Sequence, residues 1–163
     1  MSFALGKSEA TALLESIEAG SAIPTRWYAD PEIFSAELGR IHHRAWHYVT
    51  HAGELARPGD FVVRPLARVP ILLVHGDDGG IRGFLNICRH RGYPVALEDG
   101  CRKRLQCRYH GWTYGLDGRL MAAPRSKGDP TFDAASLGLV PIQVQRWGAM
   151  LWANLDPEAL TAR

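Results

Sequence analysis

Two short cysteine–histidine pairs constrain this chain more than any other feature of its sequence. The first pair is Cys88-Arg89-His90 and the second is Cys107-Arg108-Tyr109-His110, with sixteen residues between them. Such close spacings let each pair occupy the tip of one loop, and two facing loops can grip a small inorganic core. Thiolates and imidazoles bind both zinc and iron. The pattern therefore predicts a metal centre, and the odd total of three cysteines disfavours a disulfide framework.

The choice of metal follows from the order of the ligands. Two cysteines and two histidines suit a tetrahedral zinc ion, but zinc-binding sequences more often keep each residue type together. Here the types alternate, which favours two sulfurs on one iron and two imidazole nitrogens on another. Gly92 and Gly111 follow the histidines closely, where tight loops bring backbone N–H groups towards a cluster. A structural zinc module is the alternative.

The two pairs and their flanks resemble the cluster-binding motif of Rieske non-haem iron oxygenases. Residues 86–92 (Asn-Ile-Cys-Arg-His-Arg-Gly) and 107–114 (Cys-Arg-Tyr-His-Gly-Trp-Thr-Tyr) are similar to its two halves. Residues 41–55 and 147–157 are similar to the segments that open and close the family's Rieske domain. The resemblance implies a Rieske 2Fe–2S cluster with the ligands Cys88, His90, Cys107 and His110. It also implies a surrounding shell of Arg91, Gly92, Tyr109, Gly111 and Trp112.

Helices are predicted only in the N-terminal part of the chain. Apolar spacing predicts a short amphipathic helix over residues 8–19, ended by Gly20. Asp30-Pro31 is typical of a helix start, because a capping carboxylate precedes proline at the first helical position. This second helix is predicted to reach about residue 44. Its buried stripe is predicted to comprise Ile33, Phe34, Leu38 and Ile41.

The rest of the chain is predicted to be mainly β. Short strands are predicted at 61–63, 71–74, 82–87, 140–145 and 150–155, with a surface loop at 124–138. The resemblance implies a Rieske-type antiparallel β-sandwich with a small cluster-binding subdomain, preceded by short N-terminal helices. The expected divisions are a helical segment at 1–45, a Rieske domain at 46–157 with its cluster-binding part at about 86–124, and a tail at 158–163.

Other classes of protein are disfavoured by the composition. The longest strongly apolar run, residues 69–74, is far too short to cross a bilayer. The N-terminus turns acidic from Glu9 and lacks the basic start and cleavage site of a secretory signal. We therefore expect no membrane association and a cytoplasmic location. Cys101 lies outside both ligand pairs and is expected to be a free loop thiol.

Positive charge is concentrated around the two pairs. Eight lysines and arginines lie between residues 88 and 125, against three acidic residues. No nucleic-acid-binding motif accompanies them, so an acidic redox partner is the better interpretation. A second metal site is not expected at His42, His43, His47 and His51. Although His43 and His47 have helical spacing, no carboxylate completes a facial triad with them.

The resemblance implies electron transfer as the function. Such a domain accepts electrons from a ferredoxin or from a flavin/iron–sulfur reductase. It delivers them to the mononuclear iron of a ring-hydroxylating or other Rieske mono- or dioxygenase, whose large subunits form homotrimers or α3β3 assemblies. The catalytic domain is expected to be absent, because the chain stops at Arg163 without a two-histidine, one-carboxylate triad. The chain alone is therefore not expected to hydroxylate a substrate. A free-standing Rieske ferredoxin is the second hypothesis.

The motif also predicts where the reduction potential lies. Respiratory Rieske proteins carry an extra cysteine in each loop and a serine that donates to a bridging sulfide. Here those positions hold Tyr93, Tyr109 and Trp112. Fewer hydrogen bonds to sulfur disfavour the reduced state, so we expect a value towards the low end of the Rieske range of roughly −150 to +300 mV.

Overall fold

The α-helices that the structure describes all lie in the first of two compact units. The computed structural model describes residues 6–126 and 131–160, and the chain divides into units 1–44 and 45–163. The first unit contains α1 (Lys7–Glu18), α2 (Arg26–Ala29), α3 (Pro31–Arg40) and a 3₁₀ turn at His42–Arg44. Asp30 caps α3 as predicted, since its carboxylate accepts the Glu32 N–H at 2.9 Å.

Two predictions for this unit were wrong in detail. The second helix ends at Arg40 rather than near residue 44, one residue after Gly39, a poor helix former. Of its predicted apolar stripe only Ile33 is buried, whereas Phe34 and Ile41 are exposed. Propensity and spacing predicted which residues are helical, but burial depends on what packs against the helix. The short α2 was not predicted at all.

The second unit is built from antiparallel strands. They are β1 (His47–His51), β2 (Asp60–Leu66), β3 (Val69–His75), β4 (Ile81–Leu85), β5 (Gly100–Cys101), β6 (Leu105–Gln106), β7 (Thr113–Tyr114), β8 (Leu120–Ala122), β9 (Pro141–Trp147) and β10 (Met150–Asn154). Short 3₁₀ turns lie at Ala52–Leu55 and Ala134–Leu137. A seven-stranded sheet has the order β1-β10-β9-β4-β3-β2-β5, and a small sheet has the order β6-β7-β8. The predicted mainly-β fold of antiparallel strands, preceded by short helices, is confirmed.

Strand β3 is buried on both faces and separates two hydrophobic cores. Ile71 and Leu73 face one side, and Leu72 and Val74 face the other, as alternation along a strand requires. This explains why the sequence there is continuously apolar. The scaffold core consists of Leu55, Val62, Leu66, Ile71, Leu73, Leu151 and Ala153. The cluster-side core consists of Phe61, Leu72, Val74, Phe84, Cys88, Val95, Ala96, Leu105, Cys107, Trp112, Tyr114, Leu116 and Leu139.

Some predicted segments fall partly beyond what the structure describes. Residues 127–130 of the predicted surface loop and 161–163 of the predicted tail lie outside the described residues. Among the described helices, none is both long and apolar enough to span a membrane.

Candidate metal centre

The first ligand loop leaves β4 and is closed from inside by Asn86. This side chain is buried, and its amide nitrogen donates to the Ala96 carbonyl at 2.7 Å. Its amide oxygen accepts the N–H groups of Val95 and Ala96, each at 3.0 Å. One buried side chain therefore satisfies three backbone groups across a loop of about ten residues. Asn86 lies within the recognised motif, but the sequence analysis gave it no role.

The two ligand loops share one backbone pattern. Cys88 N–H donates to the Tyr93 carbonyl at 2.8 Å, and Cys107 N–H donates to the Trp112 carbonyl at 2.9 Å. In each loop the cysteine carbonyl also accepts, at 3.0 Å, the N–H of the glycine four residues later. Those glycines, Gly92 and Gly111, have φ values of +72° and +73°. Positive φ is readily adopted only by glycine, which explains both residues physically.

The loops bring like ligands together. Cys88 and Cys107 are both buried, and their thiols lie close enough for Cys88 to influence the titration of Cys107. Burial raises the pKa of the Cys107 thiol, and the contact with Cys88 raises it further. The rings of His90 and His110 lie edge to face, with centroids 4.6 Å apart and an interplanar angle of 75°. Sulfur therefore lies beside sulfur, and imidazole lies beside imidazole.

The pairing of like ligands fits a binuclear cluster. A structural zinc ion needs four ligands converging on one point. A 2Fe–2S cluster instead needs only two protein ligands at each iron. In addition, the Nδ1 atom of His110 is buried without a hydrogen-bond partner, a costly state that an iron–nitrogen bond would relieve.

The sulfur side of the site is supported by Tyr114, a motif residue whose role the sequence does not indicate. Its side chain is fully buried, and its hydroxyl lies 3.3 Å from the Cys88 sulfur. The same hydroxyl accepts the Arg89 N–H at 3.0 Å. Burial and the contact with Cys88 hold the pKa of Tyr114 well above its ordinary value. The phenol therefore stays protonated and can donate to a thiolate, a hydrogen bond that the predicted low potential did not include.

The imidazole side of the site is lined by aromatic rings. Buried Trp112 stacks on His90, with centroids 4.9 Å apart and an interplanar angle of 9°. The Tyr109 ring lies 3.8 Å from that of His110. Burial lowers the pKa of His110, and the positive charges of Arg91 and Arg125 lower it further. The neutral imidazole that results is the form that binds metal. Arg91 itself is exposed.

The remaining candidate residues lie elsewhere in the fold. Cys101 is exposed in the edge strand β5, opposite Asp60. His42 and His43 belong to the first unit, in its 3₁₀ turn. His47 and His51 belong to the second unit, at the two ends of β1. His51 Nδ1 accepts the Gly53 N–H at 2.9 Å, which is a turn-capping role.

Comparison with known proteins identifies relatives of this arrangement. The oxygenase subunit of carnitine monooxygenase from Escherichia coli (strain K12) is 35% identical over 138 residues, which are 84% of this chain and 37% of that subunit. Choline monooxygenase from Spinacia oleracea is 34% identical over 133 residues, which are 82% of this chain and 30% of that enzyme. The chain thus spans about a third of the length of these curated relatives.

Solved structures agree with the sequence relatives. The apo form of the quaternary ammonium Rieske monooxygenase CntA superposes with a TM-score of 0.82 at 31% identity, covering 85% of this chain and 41% of CntA. Naphthalene 1,2-dioxygenase from Rhodococcus sp. superposes with a TM-score of 0.86 at 30% identity, covering 96% and 37%. Residues 45–139 match the family model for the Rieske [2Fe-2S] domain, and this range includes both cysteine–histidine pairs. The chain therefore belongs to the Rieske [2Fe–2S] domain family, in the form that occurs in oxygenase large subunits.

Proposed function

We propose that the 2Fe–2S cluster of this Rieske domain is held by Cys88, His90, Cys107 and His110. One observation carries the proposal. Two equivalent loops place two buried thiols close together on one side and two imidazole rings with centroids 4.6 Å apart on the other. A cluster with one sulfur-ligated and one nitrogen-ligated iron requires that segregation. When bound, the cluster takes up and releases one electron at a time.

The protein's own side chains prepare the site for that role. Tyr114 holds a hydroxyl against the Cys88 sulfur, and Trp112 covers one face of the His90 ring. With its buried Nδ1 directed at iron, His110 would keep the other ring nitrogen as an N–H donor. We propose that this N–H meets a carboxylate beside the mononuclear iron of an oxygenase, so that electrons leave the domain on the His110 side.

The surface around the ligand loops supports a partner of opposite charge. Arg89, Arg91 and Arg125 are exposed near the two histidines. Arg108 is exposed too and pairs at 3.6 Å with the equally exposed Glu98. Such a positively charged face increases the rate of encounter with a negatively charged protein. We propose that the electron donor is an acidic ferredoxin or a flavin/iron–sulfur reductase.

The relatives favour an oxygenase component over a free-standing ferredoxin. Proteins similar in sequence are named as oxygenase subunits or monooxygenases. We propose that the parent enzyme is a Rieske mono- or dioxygenase in which the domain works inside a homotrimer or an α3β3 assembly. One structure of CntA is described as revealing inter-subunit electron transfer, which supports that arrangement. A cytoplasmic location is proposed with it.

Substrate choice is not a property of this domain. The similar proteins include enzymes named for choline and carnitine, which are quaternary amines, and for naphthalene, which is an aromatic hydrocarbon. The Rieske domain is similar to all of them at about the same level of identity, so it does not select between quaternary amines and aromatic hydrocarbons.

An anaerobic spectroelectrochemical titration tests the electron-transfer function. The purified chain should take up one electron, with a midpoint in the range of roughly −150 to +300 mV. An all-cysteine 2Fe–2S cluster would titrate near about −400 mV, and a zinc module would not titrate at all. Either of those results would contradict the proposed function.

A further inference from the structure

The two histidines of the site are supported by different kinds of neighbour. The ring of His90 stacks on Trp112, which is buried and has Phe132 against it edge-on at 5.8 Å. His90 therefore has a core residue behind it, and its orientation is fixed by the packing of the cluster-side core.

His110 has no such support in the described part of the chain. Within the described residues, the ring of His110 contacts the rings of His90 and Tyr109. Tyr109 is 55% exposed. Tyr109 in turn meets Tyr93 of the other loop, with centroids 5.5 Å apart and an interplanar angle of 48°. Tyr93 is also on the surface, 38% exposed. The ring of His110 thus depends on an exposed pair of tyrosines that spans the two loops.

The same pair joins the loops on their solvent side. On the buried side, the Tyr114 hydroxyl links the second loop to Cys88 and Arg89 of the first. On the solvent side, an ion pair between Arg108 and Glu98 also links the second loop to the segment that follows the first loop. That pair is long and exposed, so it contributes little to holding one geometry. Aromatic pairs at centroid distances of roughly 4.5–7 Å are attractive beyond the area that they bury.

We propose that Tyr93 and Tyr109 are positioning residues that close the two loops over the imidazole side and fix the ring of His110. This inference rests on the proposal that His110 is a cluster ligand. The two tyrosines would orient the ring of His110, whereas Trp112 would orient the ring of His90. Loss of the Tyr93 ring should therefore disturb one histidine and leave the other unchanged.

Two measurements on the cluster-containing protein test this assignment. Pulsed EPR of the reduced, ¹⁵N-histidine-labelled protein reports one nitrogen coupling for each ligating histidine. The rate of iron release to a chelator reports how well the loops stay closed. The test variants are Tyr93→Leu and Tyr109→Leu, and Tyr93→Phe keeps the ring while removing the hydroxyl. The matched controls are Tyr28→Leu, an exposed tyrosine of the first unit, and Glu98→Gln, which breaks the ion pair.

The expected pattern is specific. Tyr93→Leu and Tyr109→Leu should shift or broaden one of the two nitrogen couplings and speed iron release about two- to tenfold, the range typical of an aromatic pair. Tyr93→Phe and both controls should match the wild type. Unchanged couplings and release rates in both leucine variants would overturn the positioning role, as would equal disturbance of both histidines.

A different result would contradict the proposed function. If the wild-type protein itself showed no coupling to two histidine nitrogens, the ligand assignment would be wrong before any variant was made. If the wild type shows both couplings and the leucine variants do not alter either, only the role of the tyrosine pair is lost. Should Tyr109→Leu fail to load iron, Tyr93→Leu decides the question, because the Tyr93 backbone groups are unaffected by the substitution.

Discussion

The two hydrophobic cores of the second unit share strand β3 but are stabilised in different ways. The scaffold core is entirely aliphatic, and its side chains come mainly from strands with continuous hydrogen-bonded ladders. The cluster-side core has the same sheet on one side, but on the other it has loops and strands of two or three residues. Its interior contains two thiols, a phenol and an indole. Burial of hydrocarbon can hold the first core alone, whereas we propose that the second gains much of its order from bonds to the cluster.

Leu73→Ala should give the largest change in stability. Leu73 is fully buried in the scaffold core, so its truncation removes transfer free energy and leaves a cavity. The free energy of unfolding should fall by about 2–5 kcal/mol, measured by urea denaturation. Leu97→Ala, at a leucine that is 53% exposed, is the control and should change it by less than about 0.5 kcal/mol. Equal effects of the two substitutions would show that the scaffold core does not carry the fold.

Tyr114→Phe should act on the cluster-side core through a single hydrogen bond. A donor to the Cys88 sulfur stabilises the more negative, reduced state, so removing it should lower the reduction potential. A loss of about 1 kcal/mol corresponds to about 40 mV for a one-electron couple. Protein-film voltammetry measures the change, with Tyr28→Phe as the control. An unchanged or higher potential in Tyr114→Phe would mean that the phenol does not tune the cluster.

The smallest expected effect concerns acid stability at the edge of the large sheet. Burial raises the pKa of the Asp99 carboxyl, but hydrogen bonds from Arg64 and from the Val63 N–H outweigh this and lower it below its ordinary value. A carboxyl with a depressed pKa in the folded state contributes stability above its unfolded pKa of about 3.9. That contribution is lost as the pH falls through the folded value.

Asp99→Asn should therefore flatten the decline of stability in acid. The side chains of Arg64 and Asp99 are 31% and 45% exposed, so the contribution at neutral pH should be about 1 kcal/mol or less. Urea denaturation from about pH 7 to pH 3 measures the difference from the wild type, which should shrink in about 1 M salt. A variant that loses stability in acid as steeply as the wild type would show that the pair contributes nothing.

Features with a local sequence signal were the ones that the sequence predicted. The apolar run at 71–74 predicted strand β3, because a short, continuously apolar segment is a local signal of a buried strand. The paired ligands were predicted to meet, since their spacing leaves few other uses for two thiols and two imidazoles. Phe34 and Ile41 were expected in a buried stripe, but nothing in their own helix determines what covers them.

Long-range polar contacts account for the residues that were overlooked. Tyr114 acts on Cys88 and Arg89 from about 25 positions away along the chain. Asn86 closes its loop through backbone groups about ten positions away. Both side chains lie inside recognised motif segments, yet their roles depend on geometry that only the folded chain displays. The tyrosine pair across the two loops is another contact of this kind.

Metal analysis of anaerobically purified protein tests the central claim most directly. The account predicts about two irons and two acid-labile sulfides per chain, a red-brown colour and no zinc. Cys107→Ser should abolish the iron and sulfide content, whereas Cys101→Ser, at the exposed cysteine of β5, should retain both in full. Colourless wild-type protein with one zinc per chain, or a Cys107→Ser variant that keeps its iron and sulfide, would contradict the account.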